Sequence, residues 1–248
     1  MPRRARAKSN SGVYHVMLRG INHQVIFKDE EDRERLIVTL EKYKEISGYR
    51  LYAYCLMSNH FHLLLKVEKE ELDLILKRIA GSYVYWYNKK HKRSGHLFQD
   101  RYRSEAVEDD RYFLAVLRYI HQNPVKAGLC KNAAEYKYSS YPSLLKGKSE
   151  LLDKDYVFSV FGGNDFEEFH KGDSDKEYMD IEEKEYPTSD IDAAEIIKSV
   201  SRCKNLEDFH SLSRVQLDEI LSTLKQKGLP IRQISRITGV GKGIVERA

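Results

Sequence analysis

The pattern of apolar and polar positions divides the first 145 residues into short strands and long amphipathic helices. Alternating or continuous apolar runs bounded by turn residues predict strands; these lie at 12–19, 50–57, 60–67 and within 97–107. Apolar residues at helical spacing predict helices; these lie at 29–46, 70–87 and about 110–122. Asp109 or Asp110 is expected to cap the third helix.

The order of these elements predicts the fold class. Strand, helix, strand, strand, helix, strand is the order of a ferredoxin-like α+β fold, an antiparallel sheet with helices on one face. The strand at 60–67 is then expected in the interior of the sheet. A third helix follows the last strand and is left to cross near that interior strand.

The pattern weakens after residue 145 and returns near the end of the chain. Acidic residues and Gly162-Gly163 predict a linker over 146–188, with a short helix around 165–170. Helices are expected again at 191–200 and 212–224. We therefore expect three parts, which are a domain at 1–145, an acidic linker at 146–188 and a small all-α domain at 189–248.

The last part of the chain resembles a helix-turn-helix. One predicted helix carries Ile231, Ile234 and Ile237, Gly239 turns the chain, and a second helix begins near Gly241 with Ile244 and Val245 inward. The second helix of such a unit enters the major groove of DNA, so Lys242 and Arg247 are candidate contacts to duplex DNA. A small helical bundle without a ligand is the alternative.

Two histidines separated by one residue open the strand predicted at 60–67. Because successive side chains of a strand point to opposite faces, His60 and His62 share one face, about 7 Å apart. Phe61 then points into the core on the other face. Neutral imidazoles in this arrangement can bind one divalent ion together. On spacing alone, a strand with two surface histidines is the alternative.

Two further candidates lie four residues apart in the third predicted helix. Tyr119 and Asn123 share a face of that helix, one turn apart. Pro124 disfavours helical geometry at Asn123, which is expected at the helix end or as the cap of a new turn. Taken singly, a packed tyrosine and a helix cap explain these residues better. Together with the two histidines, the set favours metal-assisted phosphoryl transfer.

Charge is distributed unevenly along the chain. Residues 1–150 carry a net charge of +10, residues 151–190 carry −9 and residues 191–248 carry +3. Two basic parts joined by an acidic one favour binding to a polyanion, with an ordinary solvated surface as the alternative. Many of the 17 tyrosines lie beside Lys or Arg, a pattern that suits single-stranded nucleic acid. Buried helix aromatics would explain part of the same pattern.

Cysteine content and hydropathy bear on the cellular compartment in which the protein is expected. Cys55, Cys130 and Cys203 lie far apart and form no CxxC pair, which argues against a cysteine zinc site or a disulfide framework. No apolar run approaches the roughly 20 residues of a membrane helix. The basic N-terminus is followed by no apolar segment of signal-peptide type. We expect a cytoplasmic protein that has no contact with a membrane.

Five linked motifs between about residues 10 and 145 give a specific resemblance. They are YHVMLRGINHQVIF, NHFHLLL, GHLFQDRYRS, RYIHQNPVKAG and YKYSSYPSLL. This set resembles the HUH-type single-tyrosine transposases, and within them the REP-associated branch. The resemblance implies that His60, His62 and Asn123 bind Mg²⁺ or Mn²⁺. It also implies that Tyr119 attacks a phosphodiester of single-stranded DNA and leaves a 5′-phosphotyrosine.

The resemblance further implies the partners and leaves alternatives. The expected substrates are single-stranded DNA hairpins or palindromic repeats, with Arg19, Arg101 and Arg103 as candidate DNA contacts. Relatives are monomers or homodimers that exchange tyrosine helices. A protein that binds palindromic DNA without cutting it is one alternative, and a nuclease that uses water is another. His121 faces away from Tyr119 and is expected not to be a ligand.

Overall fold

The computed structural model describes residues 7–99, 101–147, 149–162, 165–171, 190–201, 203, 209, 212–226, 229 and 231–248. Contacts divide the chain into two compact units. The first consists of Met1–Ile21 and Val25–Asp180, and the second of Asn22–Gln24 and Ile181–Ala248. Residues 172–188 of the predicted acidic linker lie outside the described residues. The expected domain limits at 145 and 188 stay a prediction.

The first unit contains a four-stranded antiparallel sheet. Its strands are β1 (Val13–Arg19), β2 (Arg50–Leu56), β3 (His60–Lys66) and β4 (Arg103–Ala106). Their order across the sheet is β2-β3-β1-β4, with β3 in the interior. The backbone of residues 138–140 continues the sheet beyond β2, since Leu56 N donates to Tyr138 O and Ser140 N to Tyr54 O. The predicted α+β fold class is confirmed.

Helices surround the sheet and make up the second unit. The first unit contains α1 (Glu30–Ser47), α2 (Leu72–Lys90), α3 (Asp110–Lys126), α4 (Tyr141–Leu145), α5 (Lys154–Phe161) and α6 (Phe166–Lys171). The second contains α7 (Asp190–Ser201), α8 (Arg214–Gln226), α9 (Ile231–Thr238) and α10 (Lys242–Arg247). None of these helices, in the part of the chain that is described, is long and apolar enough to span a bilayer.

Helices α1 and α2 pack against each other on one face of the sheet, where α1 also contacts β2. The ring of Tyr83 in α2 lies 5.7 Å from Phe27, which lies 6.4 Å from Phe61 in β3. Tyr83 is fully buried and its hydroxyl donates to Ile26 O at 2.6 Å. The neighbouring Tyr85, by contrast, is 75% exposed. Part of the aromatic pattern in α2 is therefore core packing, as the alternative interpretation expected.

Helix α3 crosses the opposite face of the sheet and is longer than predicted. It begins after Asp109, whose carboxylate accepts from Tyr112 N at 2.7 Å, as the sequence predicted. It does not end near Gln122 but continues through a buried Pro124 to Lys126. The Asn123 side chain donates to Tyr119 O at 2.8 Å. Pro124 has no N–H to donate to Ile120 O four residues earlier, so the helix continues past a residue that usually ends one with one backbone hydrogen bond fewer.

A chain of buried side chains fastens α3 to the helices that follow it, and we call it the His121–His170 clasp. His121 Nδ1 lies 2.8 Å from His170 Nε2, and His121 Nε2 lies 2.8 Å from Ser140 Oγ. His170 Nδ1 in turn donates to Phe166 O at 2.7 Å. The short helix predicted around 165–170 is confirmed as α6. Because His121 is fully buried, it has no direct access to DNA.

The second unit ends in the predicted pair of helices, α9 and α10. Gly239 has a φ of 72°, a left-handed conformation that suits glycine and turns the chain between them. Val245 is fully buried as expected, whereas Ile244 is 43% exposed, so its predicted inward position is wrong. Adjacent residues of a helix lie about 100° apart. The narrow buried face of the short helix α10 therefore includes Val245 but not Ile244.

The His121–His170 clasp predicts acid sensitivity. Burial lowers the pKa of His170 from 6.5 to about 4, so the unfolded chain takes up this proton first as the pH falls. The stability contributed by neutral His170 is fully present above pH 6.5. It falls by roughly 3 kcal/mol as the pH drops from 6.5 to about 4. Unfolding by denaturant at pH 7 and pH 4.5 measures the loss, which His170→Gln should reduce. His96→Gln, at an exposed position, is the matched control and should keep the wild-type pH dependence.

Candidate functional site

Three predicted site residues meet where α3 crosses β3. The ring centroids of His60 and His62 are 5.0 Å apart. The ring of Tyr119 lies 5.6 Å from that of His62, with the two planes at 85°. The face of β3 that carries both histidines is therefore the face on which α3 packs. The alternative of two surface histidines does not hold, because His62 is only 1% exposed.

Hydrogen bonds at Nδ1 orient both histidines of β3. His60 Nδ1 lies 2.7 Å from Asn59 Oδ1, and an amide oxygen can only accept. His60 Nδ1 is therefore the donor, and the lone pair of this ring lies on Nε2. His62 Nδ1 lies 3.0 Å from Nε2 of a further histidine, His15 in β1. A second partner at the far nitrogen is the usual arrangement of metal-binding histidines.

Burial keeps the two innermost histidines neutral. The pKa of His62 is lowered well below 6.5, first by burial and then by nearby charges, including Arg19. Burial lowers the pKa of His15 to about 3. Because a metal ion binds the neutral imidazole, this environment keeps His62 ready to act as a ligand at neutral pH.

His15 is a site residue that the sequence analysis missed. Its ring is stacked on that of His62 at 5.2 Å and meets the ring of Tyr119 edge-on at 5.6 Å. It is fully buried between the sheet and α3. The sequence did carry a signal for it: His15 is a polar residue between Tyr14 and Val16 in a mainly apolar strand.

Helix α3 supplies the remaining candidates. Asn123 lies one turn beyond Tyr119, and because its Nδ2 donates to Tyr119 O, Oδ1 is the amide atom available to an ion. Lys126 Nζ lies 5.2 Å from the centroid of the Tyr119 ring. Sequence reasoning did not single out Lys126, although it follows Tyr119 at helical spacing. Two imidazole nitrogens and an amide oxygen fit a divalent cation whose other ligands are oxygens.

The candidate DNA contacts fall into two groups. Arg19 lies opposite His60 in the ladder, and Arg103 lies opposite Met17, which is itself opposite His62. Directly opposed residues share a face, so Arg19 and Arg103 lie on the face of the histidines. Arg101 is exposed just before β4. The two candidate contacts in the second unit, Lys242 and Arg247, are exposed on α10.

Comparisons with known proteins find similar transposases. Residues 8–123 match the family described as IS200-like transposases. A Haemophilus influenzae protein described as a REP-associated tyrosine transposase is 28% identical over 129 residues, which are 47% of this chain and 68% of that protein.

A solved structure shares the fold. It is a REP-associated tyrosine transposase bound to a REP hairpin, with a TM-score of 0.52 and 16% sequence identity. The match covers 61% of this chain and 90% of that one. At this level of identity the likeness shows a common fold and leaves the roles of side chains to the geometry above.

A second group of metal-type side chains lies on the other face of the sheet. Asp29, Asp32 and His91 bring one ligand atom each within 4.8 Å of one another. The ammonium of Lys90 already lies among them, 2.6 Å from Asp29 Oδ1 and 2.9 Å from Asp32 Oδ1. Asp29 and Asp32 also form the capping box of α1. A fixed cation and a capping role explain this group as an ion-pair network that joins α1 to α2.

Asp32→Ala tests this assignment. The change removes a buried carboxylate that accepts from Lys28 N at 2.7 Å and pairs with Lys90 and His91. We expect a loss of about 2–4 kcal/mol of unfolding free energy, measured by chemical denaturation. Glu31→Ala is the control, because Glu31 also pairs with Lys90 but is 66% exposed, and should cost less than about 1 kcal/mol. A stabilisation by Mn²⁺ that only Asp32→Ala abolishes would contradict the assignment.

Proposed function

We propose that this chain is an IS200-like transposase, the family whose model matches residues 8–123, and that it cuts and rejoins single-stranded DNA with Tyr119 as the nucleophile. The observation that carries the proposal is the contact of Tyr119 with His62, at 5.6 Å between ring centroids. It brings the one candidate nucleophile to the paired histidines. A tyrosine, two neutral imidazoles and an amide oxygen are the parts that metal-assisted phosphoryl transfer requires.

The proposed ion is Mg²⁺ or Mn²⁺, held by His60, His62 and Asn123. Such an ion, when bound, polarises the oxygens of the scissile phosphate and lowers the energy of the charge that develops there. Asn59 and His15 orient the two imidazoles, and the helical spacing of α3 holds the amide one turn from the nucleophile. The fit of these donors, described above, supports the assignment.

The proposed reaction forms one ester bond and breaks another. The Tyr119 oxygen attacks phosphorus, the bond from phosphorus to the 3′ oxygen breaks, and the released 3′ oxygen takes up a proton. The products are a 5′-phosphotyrosine and a free 3′-OH. Because ester bonds are exchanged, a second 3′-OH can reverse the step and rejoin strands. The ammonium of Lys126, 5.2 Å from the Tyr119 ring, favours the phenolate that attacks.

The proposed substrate is a DNA hairpin or palindromic repeat with a single-stranded segment. The relative of known structure is bound to a REP hairpin, which supports this class of substrate. Arg19 and Arg103 lie on the face of the site, where guanidinium groups can pair with backbone phosphates. Arg101 lies exposed two residues before Arg103. The three cysteines are free, which supports action in the reducing cytoplasm.

The central test is a covalent adduct. Wild-type protein incubated with Mn²⁺ and a hairpin oligonucleotide should form a protein–DNA species that survives denaturing electrophoresis. Tyr119→Phe removes the nucleophilic oxygen and should abolish the adduct, while His60→Ala and His62→Ala should reduce its rate by at least about 100-fold. Tyr85→Phe, the same change at an exposed position on α2, is the matched control and should react like the wild type.

Two results would replace the proposal with one of its alternatives. Cleavage by Tyr119→Phe at the wild-type rate indicates a nuclease that uses water. Tight hairpin binding by the wild type, without cleavage of any hairpin tested, indicates a protein that recognises palindromic DNA without cutting it.

We propose that α9 and α10 contact duplex DNA as a helix-turn-helix. The turn at Gly239 and the exposed cations of α10 support this role. The double variant Lys242→Ala/Arg247→Ala should weaken duplex binding and lower the salt dependence by about two phosphate contacts, without changing hairpin cleavage. Arg214→Ala, at an exposed position on α8, is the control. Unchanged duplex affinity of the double variant, measured by fluorescence anisotropy, would exclude this contact.

A further inference from the structure

His15 contacts both halves of the site. Its Nε2 lies 3.0 Å from Nδ1 of His62, which β3 contributes. Its ring also lies 5.6 Å from that of Tyr119, which α3 contributes. All three side chains are buried. His15 is therefore placed to influence the proposed metal site without being one of its three ligands.

We propose that His15 is a positioning residue that holds His62 in the tautomer that can bind a divalent ion. This inference rests on the proposed function, since it takes His62 as a ligand. The contact between the two rings needs one hydrogen. If His62 Nδ1 carries that hydrogen and His15 Nε2 accepts it, the lone pair of neutral His62 lies on Nε2 and faces the ion.

The opposite arrangement would disable the ligand. If His15 Nε2 carried the hydrogen, His62 Nδ1 would have to accept it. Neutral His62 would then carry its own proton on Nε2, and an N–H cannot bind a cation. The direction of this single hydrogen bond thus decides whether His62 is a ligand.

Among the described residues, the hydrogen-bond partner of the His15 side chain is His62. His15 Nδ1 is buried and makes no hydrogen bond to another described residue. The Nε2 atom is therefore the hydrogen-bonding atom that His15 uses, and it is used on His62. When Nε2 accepts, the proton of the neutral His15 ring lies on Nδ1.

The neighbouring proposed ligand, His60, is also oriented by a hydrogen bond at Nδ1, but its partner can only accept. Asn59 Oδ1 accepts from His60 Nδ1 at 2.7 Å and so leaves the lone pair of His60 on Nε2. An amide oxygen offers no other direction, whereas an imidazole nitrogen can accept or donate. His60 is thus locked by its sequence neighbour, and His62 depends on a residue from another strand.

Two variants of His15 separate hydrogen bonding from packing. His15→Gln keeps an acceptor, because the glutamine Oε1 reaches the position of the histidine Nε2, but it loses the ring. His15→Phe keeps a ring against His62 and Tyr119 but has no acceptor. We expect Mn²⁺ affinity, measured by electron paramagnetic resonance on the full chain, to fall about 10- to 100-fold in His15→Phe. His15→Gln should stay within a few-fold of the wild type.

A direct measurement of the tautomer supplies a readout that packing alone would not move. Nitrogen-15 NMR of the imidazoles in ion-free protein should find the proton of His62 on Nδ1 in the wild type and in His15→Gln. In His15→Phe the proton should be distributed over both nitrogens. Circular dichroism checks that each variant is folded, and the two substitutions keep the test decisive if one of them unfolds.

The results that overturn this inference differ from those that overturn the proposed site. Affinity that follows the ring, retained in His15→Phe and lost in His15→Gln, would assign His15 a packing role. A His62 proton on Nε2 in the wild type would also refute the proposal. By contrast, His60→Ala and His62→Ala variants that bind Mn²⁺ as the wild type does would refute the metal site, while the ion-free NMR measurement still reports on His15.

Discussion

The packing of α3 across the histidine face of the sheet is the contact on which the whole site depends. Neither β3 nor α3 contains a reactive centre alone, since one supplies imidazoles and the other a phenol. They meet through the buried rings of His15, His62 and Tyr119. The same packing also forms part of the core, where Phe113 of α3 lies 5.3 Å from Tyr52 of β2. Folding and assembly of the site are therefore one event.

The electrostatic environment of the site combines neutral and positive groups. Burial keeps His15 and His62 uncharged, while Arg19 and Lys126 place positive charge near His62 and Tyr119. Such surroundings suit the phosphate, the phenolate and the imidazole-bound ion of the proposed reaction. Asp29 and Asp32 could also attract a metal ion. They lie on the opposite face of the sheet, where Lys90 neutralises their charge.

Local patterns predicted much of this structure, and contacts between distant residues account for the rest. The spacing of His60 and His62 and the helical spacing of Tyr119 and Asn123 each needed only a few residues of sequence. The role of His15 needed the register of β1 against β3, which pairs residues almost fifty positions apart. The passage of α3 through Pro124 goes against the local preference of proline and is accompanied by burial of Pro124 in the packed structure. Helix α5 was missed because its packing surface lies on elements far away in sequence.

The path of the chain around α3 has a consequence for the tyrosine it carries. The segment before the helix is β4, at one edge of the sheet, and the segment after it pairs with β2 at the opposite edge. Helix α3 is therefore held at both ends by opposite edges of the sheet. It has to cross the strands that lie between those edges. Connectivity alone directs Tyr119 over the middle of the sheet, and side-chain contacts only refine where it comes to rest. The topology of the chain thus fixes the position of the proposed nucleophile before any side-chain contact does.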